Sequence, residues 1–379
     1  MTSLASLKMA IVADWLTDRG GAERVVLTLA ALFPQADIFT SVFKAENFPE
    51  LAGRKVITSY LQNLPLSSHH QLYLFQRPLA FEEFNFKDYD IVITSSSAES
   101  KYIMTQPETF HLCYCHTPTR YFWSHYDEYL KRPQLGFFNP LAKILMPHFM
   151  PQLRRADKLA AQRVDQFVAN SKTTQGRIKK YYGRESKVIY PPVDTKRFAL
   201  GGRGDYFIIV GRQIPYKRTD IAVAAFNQTR LPLLIVGRGP ELKKLMPMAH
   251  KNVRFVTDAD DKKVSQLMAG ARALIFPQEE DFGIVAIEAQ AAGKPVIAYR
   301  AGGALETVIE GKTGIFFDEQ TPESLIEGLQ KFYKTSFDAE AIRRHALTFD
   351  TGNFKRQFGQ FLKSAYIKYR TGLGLIPKI

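Results

Sequence analysis

The sequence predicts an α/β protein made of two doubly wound, Rossmann-like domains with parallel sheets. Three observations carry this expectation. Short apolar runs alternate with stretches of helical periodicity, the pattern of successive βαβ units. The alternation pauses at Pro191-Pro192-Val193-Asp194 and at Gly201-Gly202-Arg203-Gly204, and then restarts. The length, 379 residues, suffices for two domains that each bury a core. The boundaries follow: residues 1–194 and residues 195–352, with a terminal helix at 353–379.

Composition narrows the function classes. An apolar fraction of 45% and a charged fraction of 23% are those of a folded globular chain. The net charge of +14 asks for an anionic partner: a nucleotide diphosphate, nucleic acid or an acidic membrane surface. No RNA-binding or helix-turn-helix signature accompanies it, so nucleic acid is not expected. No apolar run is long enough to span a bilayer, and residues 1–8 are too short and polar for a signal peptide. The expectation is a cytoplasmic protein, with a peripheral position on the inner face of the cell membrane as the further option. Cys113 and Cys115 are the only cysteines and suggest neither disulfide nor zinc site.

The elements follow in order. Residues 9–14 read as a buried strand and 22–33 as a helix. Gly20-Gly21 between them lets backbone approach a ligand at the helix N-terminus. Strands at 37–43 and 90–94 flank a helix-like stretch at 69–84. The next strand ends in His116-Thr117-Pro118, where a proline-limited turn can aim the histidine into a cleft or simply give it a structural hydrogen bond. Residues 119–129 set Arg120, Tyr121, Trp123 and Tyr126 in an aromatic, polar stretch suited to a sugar or lipid-linked acceptor, or to packing. Residues 141–163 are amphipathic and basic, with Pro147 and Pro151 expected to break the helix. Strands at 166–170 and 187–190 close this half.

The second half opens with a strand at 205–210 and the turn Gly211-Arg212-Gln213-Ile214-Pro215-Tyr216-Lys217-Arg218, whose cations can neutralise a diphosphate. Strands at 231–236, 253–256 and 271–276 lead to an acidic loop. There Pro277 stops the strand, and Ile284, Val285, Ile287, Ala289 and Ala292 recur at helical spacing until Gly293 and Pro295. The amides of residues 281–284 (Asp281, Phe282, Gly283, Ile284) then form a helix N-terminus suited to phosphate. Glu280 precedes it and Glu288 lies about two turns further in. Carboxylates beside a phosphate seat make sense if the ligand also carries hydroxyls; a helix-dipole partner and a solvated face are the plain alternative.

The stretch from Phe276 to Gly303 resembles the donor-site signature of retaining glycosyltransferases of family 4, which have the two-domain GT-B fold. The matching elements are the E-x7-E of Glu280 and Glu288, Phe282-Gly283-Ile284, Gly293-Lys294-Pro295-Val296 and Gly302-Gly303. The sequence departs from the pattern at Ala304-Leu305-Glu306, where many relatives have proline before the glutamate. Gly20-Gly21-Ala22-Glu23-Arg24 is similar to the family's GGAER loop, His116-Thr117-Pro118 to its H-x-P site, and Arg212 and Lys217 to its phosphate-binding pair. Residues 115–130, with CHTP, RY and YDEYL, resemble bacterial polysaccharide mannosyltransferases within the family.

The resemblance implies two domains facing a cleft, a terminal helix at 353–379 that crosses back to complete residues 1–194, and transfer of a hexose with retained configuration, without a covalent nucleophile. It implies Glu280 on sugar hydroxyls, Glu288 on ribose, His116 near the reacting face, and no cofactor or metal. GDP-mannose is the expected donor and a lipid-linked or polysaccharide hydroxyl the expected acceptor. A UDP-hexose transferase, a UDP-sugar 2-epimerase of the same fold and an inactive sugar-nucleotide binder stay open.

Overall fold

A computed structural model describes residues 4–65, 73–124, 126–131, 139–202 and 204–375. Residues 69–72 of the helix expected at 69–84, His125, Arg203 and residues 376–379 lie outside the described residues. Two compact units divide the chain, Met1–Tyr190 with Lys355–Ile379 and Pro191–Phe354.

Among the described residues, the first unit holds a seven-stranded sheet, β1 (Met9–Ala13), β2 (Asp37–Thr40), β3 (Val56–Thr58), β4 (Ile91–Ser96), β5 (Phe110–Cys115), β6 (Gln166–Ala169) and β7 (Ser186–Val188). Its order is β3-β2-β1-β4-β5-β6-β7, and every pairing is parallel. The helices are α1 (Gly21–Leu32), α2 (Arg77–Glu82), α3 (Tyr126–Lys131), α4 (Asn139–Gln162) and α5 (Lys172–Tyr182). Strands β1, β4 and β5 are buried along their whole length, as a parallel sheet covered on both faces requires. Cys113 and Cys115, two residues apart, share one face of β5 and pack with Phe167, Ile178 and Tyr182.

The second unit has a six-stranded parallel sheet: β8 (Phe207–Val210), β9 (Leu233–Val236), β10 (Val253–Val256), β11 (Leu274–Phe276), β12 (Val296–Tyr299) and β13 (Gly314–Phe317), in the order β10-β9-β8-β11-β12-β13. Its helices are α6 (Thr219–Thr229), α7 (Leu242–Met248), α8 (Asp261–Ala269), α9 (Ile284–Ala291), α10 (Ala304–Thr307), α11 (Pro322–Tyr333) and α12 (Ala339–Leu347). Phe207, Phe226, Leu233, Ile235, Ile275 and Ile297 centre its core. The segment leading into it is tied down. Lys294 Nζ donates to the carbonyls of Gly201 and Gly202 at 3.1 and 2.6 Å, Arg343 donates to Phe198 O, and Thr195 Oγ1 donates to Asp350.

The last helix, α13 (Thr351–Gly372), starts in the second unit and belongs to the first from Lys355 on. Phe358, Leu362 and Tyr366 on it are fully buried. Phe358 packs beside Phe33 and Tyr114, and Tyr366 beside Phe110.

Two local expectations are corrected. Helix α4 continues through Pro147 and Pro151, which lie four apart on exposed positions where carbonyls deprived of their donors meet water. The edge strand β3, three half-buried residues long, escaped the sequence reading.

Candidate functional site

In a doubly wound sheet, ligands gather beyond the carboxyl ends of the strands where the strand order reverses. In the second unit that place lies between β8 and β11. The basic turn follows β8 and the acidic loop follows β11, so topology brings together residues more than sixty positions apart. Lys217 Nζ contacts Glu280 Oε1, both side chains being largely shielded from solvent. Gln278 Nε2 donates to the same Glu280 oxygen at 3.2 Å. Arg212, two residues past β8, is exposed.

Helix α9 is aimed by two glycines. Gly283 caps it at φ 88°, ψ 61°, in the left-handed region that costs an L-residue about 1–2 kcal/mol. A Cβ there would also sit 2.8 Å from the Phe276 ring. Gly303 N donates to Glu280 O at 2.7 Å, and a Cβ at Gly303 would fall 2.3 Å from Phe282 Cα. The Gly302-Gly303 loop thus clamps the acidic loop backbone to backbone. Asp281 and Phe282 are buried, Phe282 against Phe349, and Ile284 is half-buried. The opening amides of α9, from Gly283 on, are those a helix leaves without intrahelical acceptors. Glu288 is buried within α9, and its Oε1 accepts from Arg197 Nη2 at 2.9 Å.

The first unit has its own reversal between β1 and β4. Gly20 is the N-cap of α1 and Gly21 its first residue. The Glu23 carboxyl takes the amides of Glu23 and Gly20; burial, with Asp14 adding to it, pushes its pKa up to about 7. Asp14, at the end of β1, accepts from Ser97 N (2.6 Å), Ser97 Oγ (2.9 Å), Ala98 N (3.0 Å) and Ser100 N (2.7 Å), which fixes the loop after β4. His116, just past β5, is 9% exposed. Its Nε2 is 2.8 Å from Ser95 Oγ, its ring lies against Tyr114, and its carbonyl accepts from Thr174 Oγ1 at 3.0 Å.

The aromatic stretch after His116 is tied inward. The Tyr121 hydroxyl contacts Glu99 and accepts from Arg77 Nη2 at 2.9 Å, while Arg77 and Glu99 form an ion pair at 3.2 Å with both side chains buried. Trp123 Nε1 donates to Asp157 at 2.7 Å and its ring stacks on Tyr181. Arg154 lies over the rings of Trp123 and Tyr126. Arg120 is half-buried. The polar atoms of Tyr121 and Trp123 are thus spent inside the unit, and their rings are packed as well, Trp123 between Tyr181 and Arg154 and Tyr121 beneath Arg77.

Sequence reasoning missed Asp14, Ser95, Gln278 and Arg197. An acid at the end of the first strand was a usable signal for Asp14. Nothing near Arg197 in the chain points to Glu288.

Residues 19–197 match the family model Glycosyltransferase Family 4, and residues 193–348 match the model Glycosyl transferases group 1. A D-inositol 3-phosphate glycosyltransferase from Jonesia denitrificans is 33% identical over 44% of this chain and 46% of its own length. A GDP-mannose-dependent alpha-(1-6)-phosphatidylinositol monomannoside mannosyltransferase from Mycolicibacterium smegmatis is 31% identical over 45% of this chain and 53% of its own. The chain spans about half the length of these relatives. The structure of Anabaena Alr3699/HepE in complex with UDP-glucose matches at TM-score 0.69 and 20% identity, over 94% of this chain and 99% of that one, which shows the two-domain GT-B fold.

Proposed function

We propose that this chain, a GT-B protein whose halves match the family 4 and group 1 glycosyltransferase models, moves a hexose from a nucleotide sugar to a hydroxyl acceptor with retention of configuration. The observation that carries the reading is the meeting of the Arg212–Lys217 turn, Glu280 and the α9 N-terminus at the strand-order reversal of the second unit.

The chemistry follows from those groups. The bond between the sugar's anomeric carbon and the diphosphate oxygen breaks, and negative charge grows on the departing diphosphate. Preorganised cations and amides aimed at developing charge lower such a barrier, and Arg212, Lys217 and the opening amides of α9 are assigned to it. Since the chain supplies these charges itself, the reading requires no metal ion. Glu280 is assigned to the sugar hydroxyls and Glu288 to the ribose, as hydrogen-bond acceptors. The acceptor hydroxyl forms the new bond on the face the diphosphate leaves, and its proton passes to the leaving phosphate. His116 keeps its role toward the donor sugar on the resemblance alone.

GDP-mannose is the proposed donor, supported by the likeness of residues 115–130 to polysaccharide mannosyltransferases and by the mycobacterial relative's own donor. A lipid-linked or polysaccharide acceptor is proposed with it. Helix α4 exposes Lys143, Phe149, Arg155, Lys158 and Leu159, a basic, apolar composition suited to reversible contact with anionic lipid. No described helix is long and apolar enough to cross a membrane.

The test compares Glu280→Gln with Glu288→Ala by calorimetric titration of GDP and UDP and by transfer from radiolabelled GDP-mannose and UDP-glucose. Glu280→Gln is expected to bind GDP like the parent and to lose transfer. Glu288→Ala is expected to weaken GDP by about 1.5–3 kcal/mol, the value of a hydrogen bond to a charged group. The reverse pattern would overturn the assignment along α9, and tighter binding of UDP with transfer from UDP-glucose would move the donor to that class.

A further inference from the structure

We infer that Arg197 is a positioning residue of the donor site, acting through Glu288; the inference rests on the reading that Glu288 grips the nucleotide sugar. Arg197 lies 91 positions before Glu288, in the segment that opens the second unit. Its guanidinium bridges two carboxylates. Nη2 donates to Glu288 Oε1 at 2.9 Å and Nη1 to Asp261 Oδ2 at 2.5 Å, the latter on the first residue of α8. The backbone is fixed as well, because Ser265 Oγ donates to Arg197 O at 2.6 Å and the guanidinium lies 4.8 Å from the centre of the Phe198 ring.

The burial of Glu288 gives this bridge its purpose. Its side chain is 4% exposed, and a carboxylate so placed is costly to keep charged without a counter-charge. Ribose hydroxyls are donors, and a charged acceptor held in a fixed direction binds them more strongly than a neutral or mobile one. Arg197 supplies both conditions for Glu288: the counter-charge, and an orientation anchored on α8 rather than on α9 itself. Asp261 is mostly exposed, so the far end of the bridge sits where a neutral substitution is tolerated.

The inference is tested on the full chain with Arg197→Met, Arg197→Lys, Asp261→Asn, Glu288→Gln and the double variant Arg197→Met/Glu288→Gln. GDP is titrated by calorimetry, and transfer from GDP-mannose is followed to separate KM from kcat. Arg197→Met is expected to raise the GDP Kd and the donor KM about 10- to 100-fold, the equivalent of one charged hydrogen bond, with kcat nearly unchanged. Arg197→Lys, which keeps the charge, should recover most of that loss, and Asp261→Asn should shift both constants in the same direction by a smaller factor. The double variant should bind GDP no worse than Glu288→Gln, since both changes remove one arrangement.

Were Glu288→Gln to weaken GDP while Arg197→Met and Asp261→Asn bound it like the parent, the inference would fall and the donor reading would stand. Losses that multiply in the double variant would make Arg197 an independent contact and also overturn it. Parent-like binding by Glu288→Gln would sink the donor role of Glu288 and the inference together. If Arg197→Met does not fold, Asp261→Asn and Arg197→Lys decide by the same constants.

Discussion

Replacing Lys101 by Met should unfold the first unit well before the second. Lys101 and Asp157 form an ion pair at 2.7 Å with side chains 1% and 0% exposed. Asp157 also accepts from Thr119 Oγ1 (3.0 Å), Tyr102 OH (3.3 Å), Trp123 Nε1 (2.7 Å) and Tyr182 OH (2.7 Å). Met fills the volume of the lysine stem but leaves the carboxylate with neutral donors only. Breaking a buried pair from one side costs about 3–5 kcal/mol, a large share of the roughly 5–15 kcal/mol that holds a domain folded. With a urea dependence of about 3 kcal/mol per molar, the midpoint should fall by roughly 1–1.7 M. Trp15 and Trp123 are the only tryptophans and both lie in the first unit, so intrinsic tryptophan fluorescence reports that unit selectively. Adding Asp157→Asn removes the orphaned charge and should restore part of the midpoint. A Lys101→Met midpoint within about 0.2 M of the parent, or a double variant no more stable than Lys101→Met, would refute the reasoning.

Arg212→Ala and Lys217→Ala should each lower transfer at saturating donor by about 100-fold or more, the scale of losing one preorganised donor; near-parental turnover in both would remove their role on the leaving group. Burial holds His111 neutral, its pKa lowered to about 3. The unfolded imidazole binds its proton near pH 6.5 and the folded one does not, so this group's stability is full above about pH 6.5 and is lost, by about 1.4 kcal/mol per unit, as pH falls toward 3. Glu23 has the opposite sign, its contribution being lost as pH rises toward 7, so the comparison is with a His111→Asn variant. That variant should be destabilised more, relative to the parent, at pH 7.5 than at pH 5, and equal gaps in urea midpoint at both would contradict the assignment. The chain should bind anionic vesicles at low salt and release them as ionic strength passes about 0.15 M, where the screening length is about 8 Å; salt-insensitive binding, or none at low salt, would count against the α4 surface.

The second sheet was legible because its strands carry their own signal. FIIV, LLIV and VIAY are short apolar runs ended by turn residues, and α9 ends where Gly293 and Pro295 end it. Strand β3 lacked that signal, being three residues on a sheet edge, each only half-buried. The prolines of α4 misled because sequence shows the missing donor and not the exposed side on which it is missed. At the site, the residues of the basic turn and the acidic loop could be named from local motifs. The counter-charge of Glu288 could not: Arg197, like Arg77 on Glu99 and Lys101 on Asp157 in the first unit, joins a long-range pair of residues that in sequence look like ordinary surface charges.

The placement of α13 sets an order on synthesis. The second unit is one continuous stretch and can close as soon as residue 354 has left the ribosome. The first unit cannot, although its sheet was translated earlier. Phe358, Leu362 and Tyr366 are still to come, and until then Phe33, Phe110 and Tyr114 lack the aromatic partners that finally pack on them. At roughly 5–20 residues per second, the wait lasts on the order of 10–40 s. For that interval the nascent chain carries an uncovered aromatic stripe on otherwise formed structure, which is the kind of surface that holding chaperones recognise. The earlier-made half of this protein is the later to mature.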